Sequence, residues 1–181
     1  MELTTNQIGA IAETAIIHEA VRLGVGVFAS VMDERYDLIF DLRPRLLRVQ
    51  CKTAVRKGDV LVIRCYSCRR SATGLLKRTY APDEVDAFAA YSSELRRCYL
   101  LPMDWMAGRS VVSLRLTATA NNQATGINWA EAFEFAAKLR ELGAIAQLGE
   151  RLRGTQEVGG SSPPGSMQES RPEGRLFSFG A

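Results

Sequence analysis

Apolar and polar positions repeat along this chain with two distinct periods. Between residues 5 and 23 apolar side chains return every third or fourth position. Ala12, Ile16, Ile17, Ala20, Val21 and Leu23, with Gly9, fall on one arc of a helical wheel. The spacing predicts a helix, capped by Thr5 and stopped at Gly24, where a left-handed residue ends helices at little steric cost. The period then shortens to two. Val25–Val31, Tyr36–Leu42, Leu46–Thr53 and Val60–Tyr66 are β-branched or alternating runs, separated by turns at Asp33-Glu34-Arg35, Arg43-Pro44-Arg45 and Lys57-Gly58-Asp59, and predict four strands. Residues 67–80 show neither period and are expected as a loop. Pro82, followed by Asp83 and Glu84, has the composition of a first helical turn and predicts a second helix reaching Arg96. Cys98–Leu101 and Val111–Leu116 are short predicted strands, and Asn128–Leu142 a third helix closed by Gly143. The order αββββαββα predicts an α/β (α+β) fold with helices flanking one sheet.

Past Gly143 the pattern stops. Residues 144–181 hold seven Gly, three Pro and five Ser, too little apolar material for a core, so the chain divides into a domain over 1–143 and a disordered tail over 144–181. The tail carries a second signal. Ala144–Arg151 and Gly160–Pro164 back-translate readily into stretches resembling the D-arm and T-arm of a transfer RNA gene. The tail is therefore expected to be read-through of such a gene, without a protein function of its own.

Composition narrows the class. With 46% hydrophobic and 24% charged residues the chain has a globular profile, which excludes collagen, a coiled coil and wholesale disorder. No apolar run approaches the roughly 20 residues of a membrane-spanning helix. Met1–Asn6 lacks the basic and apolar regions of a signal peptide, so the expected location is cytoplasmic, with no membrane partner and with four reduced thiols. The net charge of +3 conceals an asymmetry: residues 43–78 hold eleven basic residues against the single acid Asp59. An excess of this size in so short a stretch is the electrostatic footprint of a nucleic-acid binder.

Three polar placements then need a reason. Glu13 falls in the middle of the apolar arc of the first helix, where an unpaired carboxylate costs several kcal/mol unless it finds a partner or a metal; the plain alternative is a Glu at the edge of the packed face, reaching water or an Arg. Asp37 shares a face of the second strand with Ile39 and Asp41. In the third strand Arg48, Gln50 and Lys52 share one face, while Leu47, Val49 and Cys51 take the other. A helix Glu, a strand Asp and a strand Gln-x-Lys make an oxygen-donor site beside an ammonium. That chemistry suits a hard divalent cation, Mg²⁺ with Mn²⁺ as substitute, and metal-assisted phosphodiester hydrolysis.

Glu13, Tyr36-Asp37 and Gln50-Cys51-Lys52 resemble the core of the PD-(D/E)XK nuclease superfamily. The chain is most similar there to the group I intron-associated homing endonucleases. The similarity extends over residues 5–137, through Asp86–Tyr91, Cys98–Pro102, Ser113–Leu116, Asn121-Asn122-Gln123 and Ile127–Ala130. The resemblance implies a restriction-endonuclease-like αβββαβ core around a mixed sheet and divalent-metal-dependent DNA cleavage. It implies Glu13, Asp37, Gln50 and Lys52 as catalytic residues, with Asp37, Gln50 and the main-chain carbonyl of Cys51 as metal ligands. Tyr36 replaces the signature Pro. Gln50 replaces a carboxylate, which removes one negative charge from the site, and the same Gln is typical of the intron-associated branch.

Arg48, Arg56, Lys57, Arg69 and Arg70 are the candidate phosphate contacts, and Asn121, Asn122 and Gln123 the candidate readers of base edges, with loop and cap hydrogen bonding as their plain alternative. The Cys65-x-x-Cys68 pair lacks the further ligands that structural zinc requires, His18 sits on the polar side of its helix, and Trp105 and Trp129 are expected to pack. The resemblance implies double-stranded DNA as the partner. The alternatives are a junction-resolving nuclease of the same fold and a non-catalytic DNA-binding module. One site cuts one strand, so a homodimer or homotetramer is expected, with helix 2 (Val85, Phe88, Ala89) or helix 3 (Phe133, Phe135, Leu139) offering apolar surface.

Overall fold

The computed structural model of the chain describes residues 2–72, 74–106, 108–118 and 125–143. The tail over 144–181 and Asn121, Asn122 and Gln123 lie outside the described residues. The elements run α1 (Thr5–Arg22), β1 (Gly26–Ala29), β2 (Leu38–Asp41), β3 (Leu46–Lys57), β4 (Val60–Arg64), β5 (Tyr66–Ser71), β6 (Gly74–Thr79), β7 (Ala87–Ser92), β8 (Arg97–Pro102), α2 (Met103–Met106) and β9 (Val111–Arg115). A 3-10 turn at Ala130–Phe133 and a helical segment over 135–143 follow. The cap of α1 is Thr4 rather than Thr5: its hydroxyl accepts from Gln7 N–H while its own N–H donates to the Gln7 side chain. Gly24 ends the helix with φ 78°, as expected.

The architecture is the expected α+β class around a mixed sheet. Strands β1, β2 and β3 form an antiparallel meander, β7 runs parallel to β3, and β8 pairs back on β7. Strand β3 is long enough to serve two neighbourhoods. Its first residues pair with β2 and its middle with β7, while Ala54–Lys57 turn through Gly58 into β4, which β9 extends. Alternation along β3 sorts its side chains to two cores. Leu47 and Val49, with Cys51 packed beside them, join Ile16, Ala20, Phe40, Phe135 and Leu139 under α1 and the segment 135–143. Ala54 joins Leu61, Ile63, Phe88, Leu101, Met106 and Leu114 on the other face. Gln50 and Lys52 share the parity of Ala54, so they leave the backbone away from α1.

Three expectations are corrected. The helix over 82–96 does not form. Residues 82–84 make only a turn, and Ala87–Ser92 is a central strand in register with Val49–Thr53. The preference of Ala for helix is worth less than about 0.7 kcal/mol per residue, whereas burying Phe88 alone contributes about 1.5–3 kcal/mol. A strand buried on both faces satisfies its backbone as well. Residues 67–80 are not a loop; β5 and β6 form a separate two-stranded ribbon. The third helix begins at 135, after the 3-10 turn, and not at Asn128. The apolar surface assigned to assembly is also taken up: Val85, Phe88, Ala89, Phe133, Phe135 and Leu139 are all buried within the chain. No helix among the described residues is long and apolar enough to cross a membrane.

Candidate active site

The site forms where β2 stops and β3 continues. The β2 ladder ends with Leu38 opposite Val49, and Asp37 N–H still donates to the Val49 carbonyl at 3.0 Å. Beyond that point no strand among the described residues continues β2 alongside β3, and the Asp37 side chain takes over: its Oδ2 accepts the Cys51 N–H at 2.7 Å and a hydrogen bond from the Gln50 amide. Gln50 Nε2 also lies 3.5 Å from the Cys51 carbonyl oxygen. Asp37, Gln50 and the main chain of Cys51 therefore converge at one point, and Gln50 is only 8% exposed. A local rule explains the placement. A strand end leaves backbone donors unpaired, and a short carboxylate in the next position is the side chain that reaches them.

Glu13 approaches from α1, half-buried beside the buried face of Ala12, Ile16 and Ala20. Burial pushes its carboxyl pKa up, and the charge of Asp37 pushes it further in the same direction. The Cys51 thiol is raised strongly by burial, then by the charges of Asp37 and Glu13, which makes it a packed side chain and no nucleophile. Among the described residues no cluster of three or more His, Cys, Asp and Glu side chains is arranged for a metal. The donors that are present (two carboxylates, an amide and a backbone carbonyl) are all oxygen ligands of the kind a hard divalent cation takes. The repulsion that Glu13 feels from Asp37 is what such a cation would offset. Turning the Gln50 amide over presents its oxygen in place of its nitrogen.

Lys52 lies on the same side of β3 as Gln50. Its Nζ donates to Tyr80 Oη at 3.2 Å, and among the described residues no carboxylate pairs with it. A cavity of about 210 Å³ is lined by Asp37, Gln50, Arg35, Tyr80 and Cys68.

The fold agrees with comparison to known proteins. A family model described as PD-(D/E)XK endonuclease matches residues 3–136. The chain belongs to the PD-(D/E)XK endonuclease family. Among solved structures, the bacterial homing endonuclease I-Ssp6803I superposes with a TM-score of 0.66 at 27% identity, covering 80% of this chain and 98% of that one. No curated protein matches.

Within this endonuclease the basic residues of 43–78 separate into groups. The Arg48 guanidinium is occupied inside the protein: Nε and its own backbone N–H bond Asp86 Oδ2 at 3.0 and 2.8 Å, and a further nitrogen bonds the Asp83 carbonyl. Burial works to raise the Asp86 pKa, but these hydrogen bonds from Arg48 outweigh it and hold the carboxyl below its usual range. Arg48 thus fastens β3 to the start of β7. Arg56 and Lys57 are exposed at the β3–β4 turn, Arg56 bonding the Gly58 carbonyl at 2.9 Å. Arg69 projects from β5 and pairs with the exposed Asp33 at 2.8 Å; Arg70 stands opposite Leu75 in the same ribbon. Cys65 is buried, its thiol raised by that burial to about 12, and Cys68 is exposed. Trp105 packs on Phe133, and His18 is exposed on α1. Sequence reasoning missed Arg35, Tyr80 and Glu84. The signal for Tyr80 was an aromatic residue two positions ahead of Pro82, inside a segment expected to be a loop.

Proposed function

We propose that the chain is a divalent-metal-dependent, site-specific endonuclease that hydrolyses phosphodiester bonds in double-stranded DNA, in the manner of a homing endonuclease. The observation that carries the proposal is the convergence of Asp37, Gln50 and the Cys51 carbonyl, with Lys52 on the same side of β3 and its ammonium hydrogen-bonded to Tyr80, which lines the same cavity as Asp37 and Gln50. Asp37, Gln50 and Cys51 O would hold the cation, and Glu13 would support it or the attacking water. A divalent cation held by these residues would supply a lowered pKa for the attacking water and positive charge against that developing at phosphorus. Lys52 orients the attacking water and stabilises the anionic transition state from its own side. Arg56, Lys57, Arg69 and Arg70 engage backbone phosphates, and Asn121, Asn122 and Gln123 read base edges. Each chain offers one such site, so a double-strand cut uses two or four copies related by two-fold symmetry. With Phe133, Phe135 and Leu139 buried, exposed apolar surface for such contacts comes from Phe28, Val31 and Met32 at and just beyond the β1 edge, from Ile8, Ile11 and Val21 on α1, and from Leu75 and Leu76 on β6.

Incubating the chain with a random-sequence duplex library and a four-way junction, in Mg²⁺ and in EDTA, tests the proposal. Recovery of cut ends sharing one sequence, in Mg²⁺ only, supports it. Cleavage confined to the junction assigns a resolving nuclease instead, and binding without cleavage assigns a DNA-binding module.

A further inference from the structure

We infer that Tyr80 is a positioning residue for the reaction, holding the Lys52 ammonium in place through its hydroxyl; the inference rests on the endonuclease reading above. Lys52 carries a flexible four-carbon stem, and such a side chain loses up to about 2 kcal/mol of rotamer entropy when fixed. A residue that acts on a reacting phosphate gains from having that ordering done beforehand. The usual fixed partner for an ammonium is a carboxylate, but a carboxylate would also neutralise the charge the phosphate needs. Tyr80 solves both demands: its Oη accepts from Nζ at 3.2 Å, and a neutral phenol leaves the whole positive charge available.

The tyrosine ring is itself held on two sides. Phe88 meets its ring edge-to-face with centroids 5.2 Å apart, anchoring it to the buried strand β7. The Arg35 guanidinium lies 4.0 Å over the ring. Arg35 in turn is fixed by Glu84 at 3.1 Å, the Thr79 carbonyl at 2.9 Å and the Ser67 hydroxyl at 3.1 Å. The Ala81 N–H bonds Glu84 and, with Arg35 and Arg78, keeps its carboxyl below the usual range, so the anchor stays ionised. Tyr80 also lines the same cavity as Asp37 and Gln50. A surface tyrosine with no role in the site would need neither this support nor this address. The arrangement links the β5–β6 ribbon, through Ser67 and Thr79, to the ammonium of the active site.

The test is Tyr80→Phe in the full chain, which keeps the ring, its Phe88 contact and its Arg35 stack and removes only the hydroxyl. Single-turnover cleavage in Mg²⁺ should fall about threefold to tenfold, the range expected for one hydrogen bond. Duplex affinity and melting temperature should stay at wild-type values, a split that a purely structural role does not produce. The Lys52 side-chain ammonium resonance, assigned with Lys52→Arg, should shift and exchange faster with water in Tyr80→Phe. A Tyr80→Phe chain that cuts at the wild-type rate, or whose Lys52 resonance is unmoved, overturns the proposal. A wild-type chain that cuts nothing is a failure of the endonuclease reading instead, and the Lys52 resonance still decides what Tyr80 does.

Discussion

Replacing Gln50 by glutamate restores the carboxylate of the family signature, and the structure sets what that change costs. Gln50 is nearly buried and donates its amide to Asp37 Oδ2. An ionised glutamate in its place loses that donor, and a hydrogen bond to a charged acceptor contributes about 1.5–3 kcal/mol. It also sets a second negative charge against Asp37, and repulsion at a separation of about 4 Å amounts to roughly 4 kcal/mol at an effective dielectric constant of 20. Glu13 already feels Asp37 in the same direction. The pair has a less costly alternative. A protonated glutamate donates to Asp37 as the amide did, and keeping a carboxyl with an ordinary pKa of about 4.3 protonated at pH 7 costs about 3.7 kcal/mol. Protonation therefore wins near neutrality, and the shared carboxyl pair titrates at a raised pKa. The sign follows: a folded-state pKa raised above its unfolded value gives full stability below the unfolded pKa and loses it as pH rises. Gln50→Glu should melt with the wild type at pH 4, and roughly 10 °C below it at pH 7 for a domain of this size. Mg²⁺ should recover much of the loss, because a third carboxylate strengthens a cation site. Thermal unfolding across a pH series, in EDTA and in Mg²⁺, measures all of this. A difference in melting temperature that is independent of pH, or a variant as stable as the wild type at pH 8, refutes the reasoning.

Asp86→Asn removes the charged acceptor that holds Arg48 and should destabilise the domain by about 2–3 kcal/mol at pH 7. Because the Asp86 pKa is depressed, that contribution is present above about pH 3.9 and disappears as pH falls through the folded-state pKa; urea unfolding at pH 7 and pH 3 checks it, and an equal difference at both contradicts it. If Arg56, Lys57, Arg69 and Arg70 contact phosphates, neutralising each should flatten the salt dependence of duplex binding by about one unit of slope. A slope unchanged in the quadruple variant places the DNA elsewhere. A chain ending at Gly143 should keep the melting temperature and activity of the full one, and a fall of more than a few degrees would assign the tail a part in the fold.

The site was legible in the sequence because its chemistry interrupts a pattern. Gln50 and Lys52 stand out in a strand whose opposite face, Leu47, Val49 and Cys51, is apolar, and Glu13 in a helix face otherwise built from Ala, Ile, Val, Leu and Gly. The segment 82–92 was not legible for the converse reason. Pro82, Asp83 and Glu84 imitate a helix start, and Ala-Phe-Ala-Ala has no period that separates a helix from a strand buried on both faces. Only the parallel register against Val49–Thr53 decides it. The β5–β6 ribbon escaped notice because it packs no apolar face of its own: Leu75 and Leu76 are exposed, and its order comes from cross-strand pairing and from Arg35. Arg48 looked like a phosphate contact because charge is visible in a sequence and its partner, Asp86, lies 38 residues away. The support of Lys52 by Tyr80 and Arg35 was hidden in the same way.

The most direct test of the central claim is the conversion of supercoiled plasmid carrying the recovered target, by wild type, Asp37→Ala and Lys52→Ala, in Mg²⁺ and in EDTA. The wild type should linearise the plasmid in Mg²⁺ and leave it intact in EDTA. Both variants should lose on the order of 10²- to 10³-fold in rate while binding the target with wild-type affinity, since phosphate contacts elsewhere supply most of it. Cleavage by Asp37→Ala and Lys52→Ala at the wild-type rate, or equal cleavage in EDTA, would contradict the account.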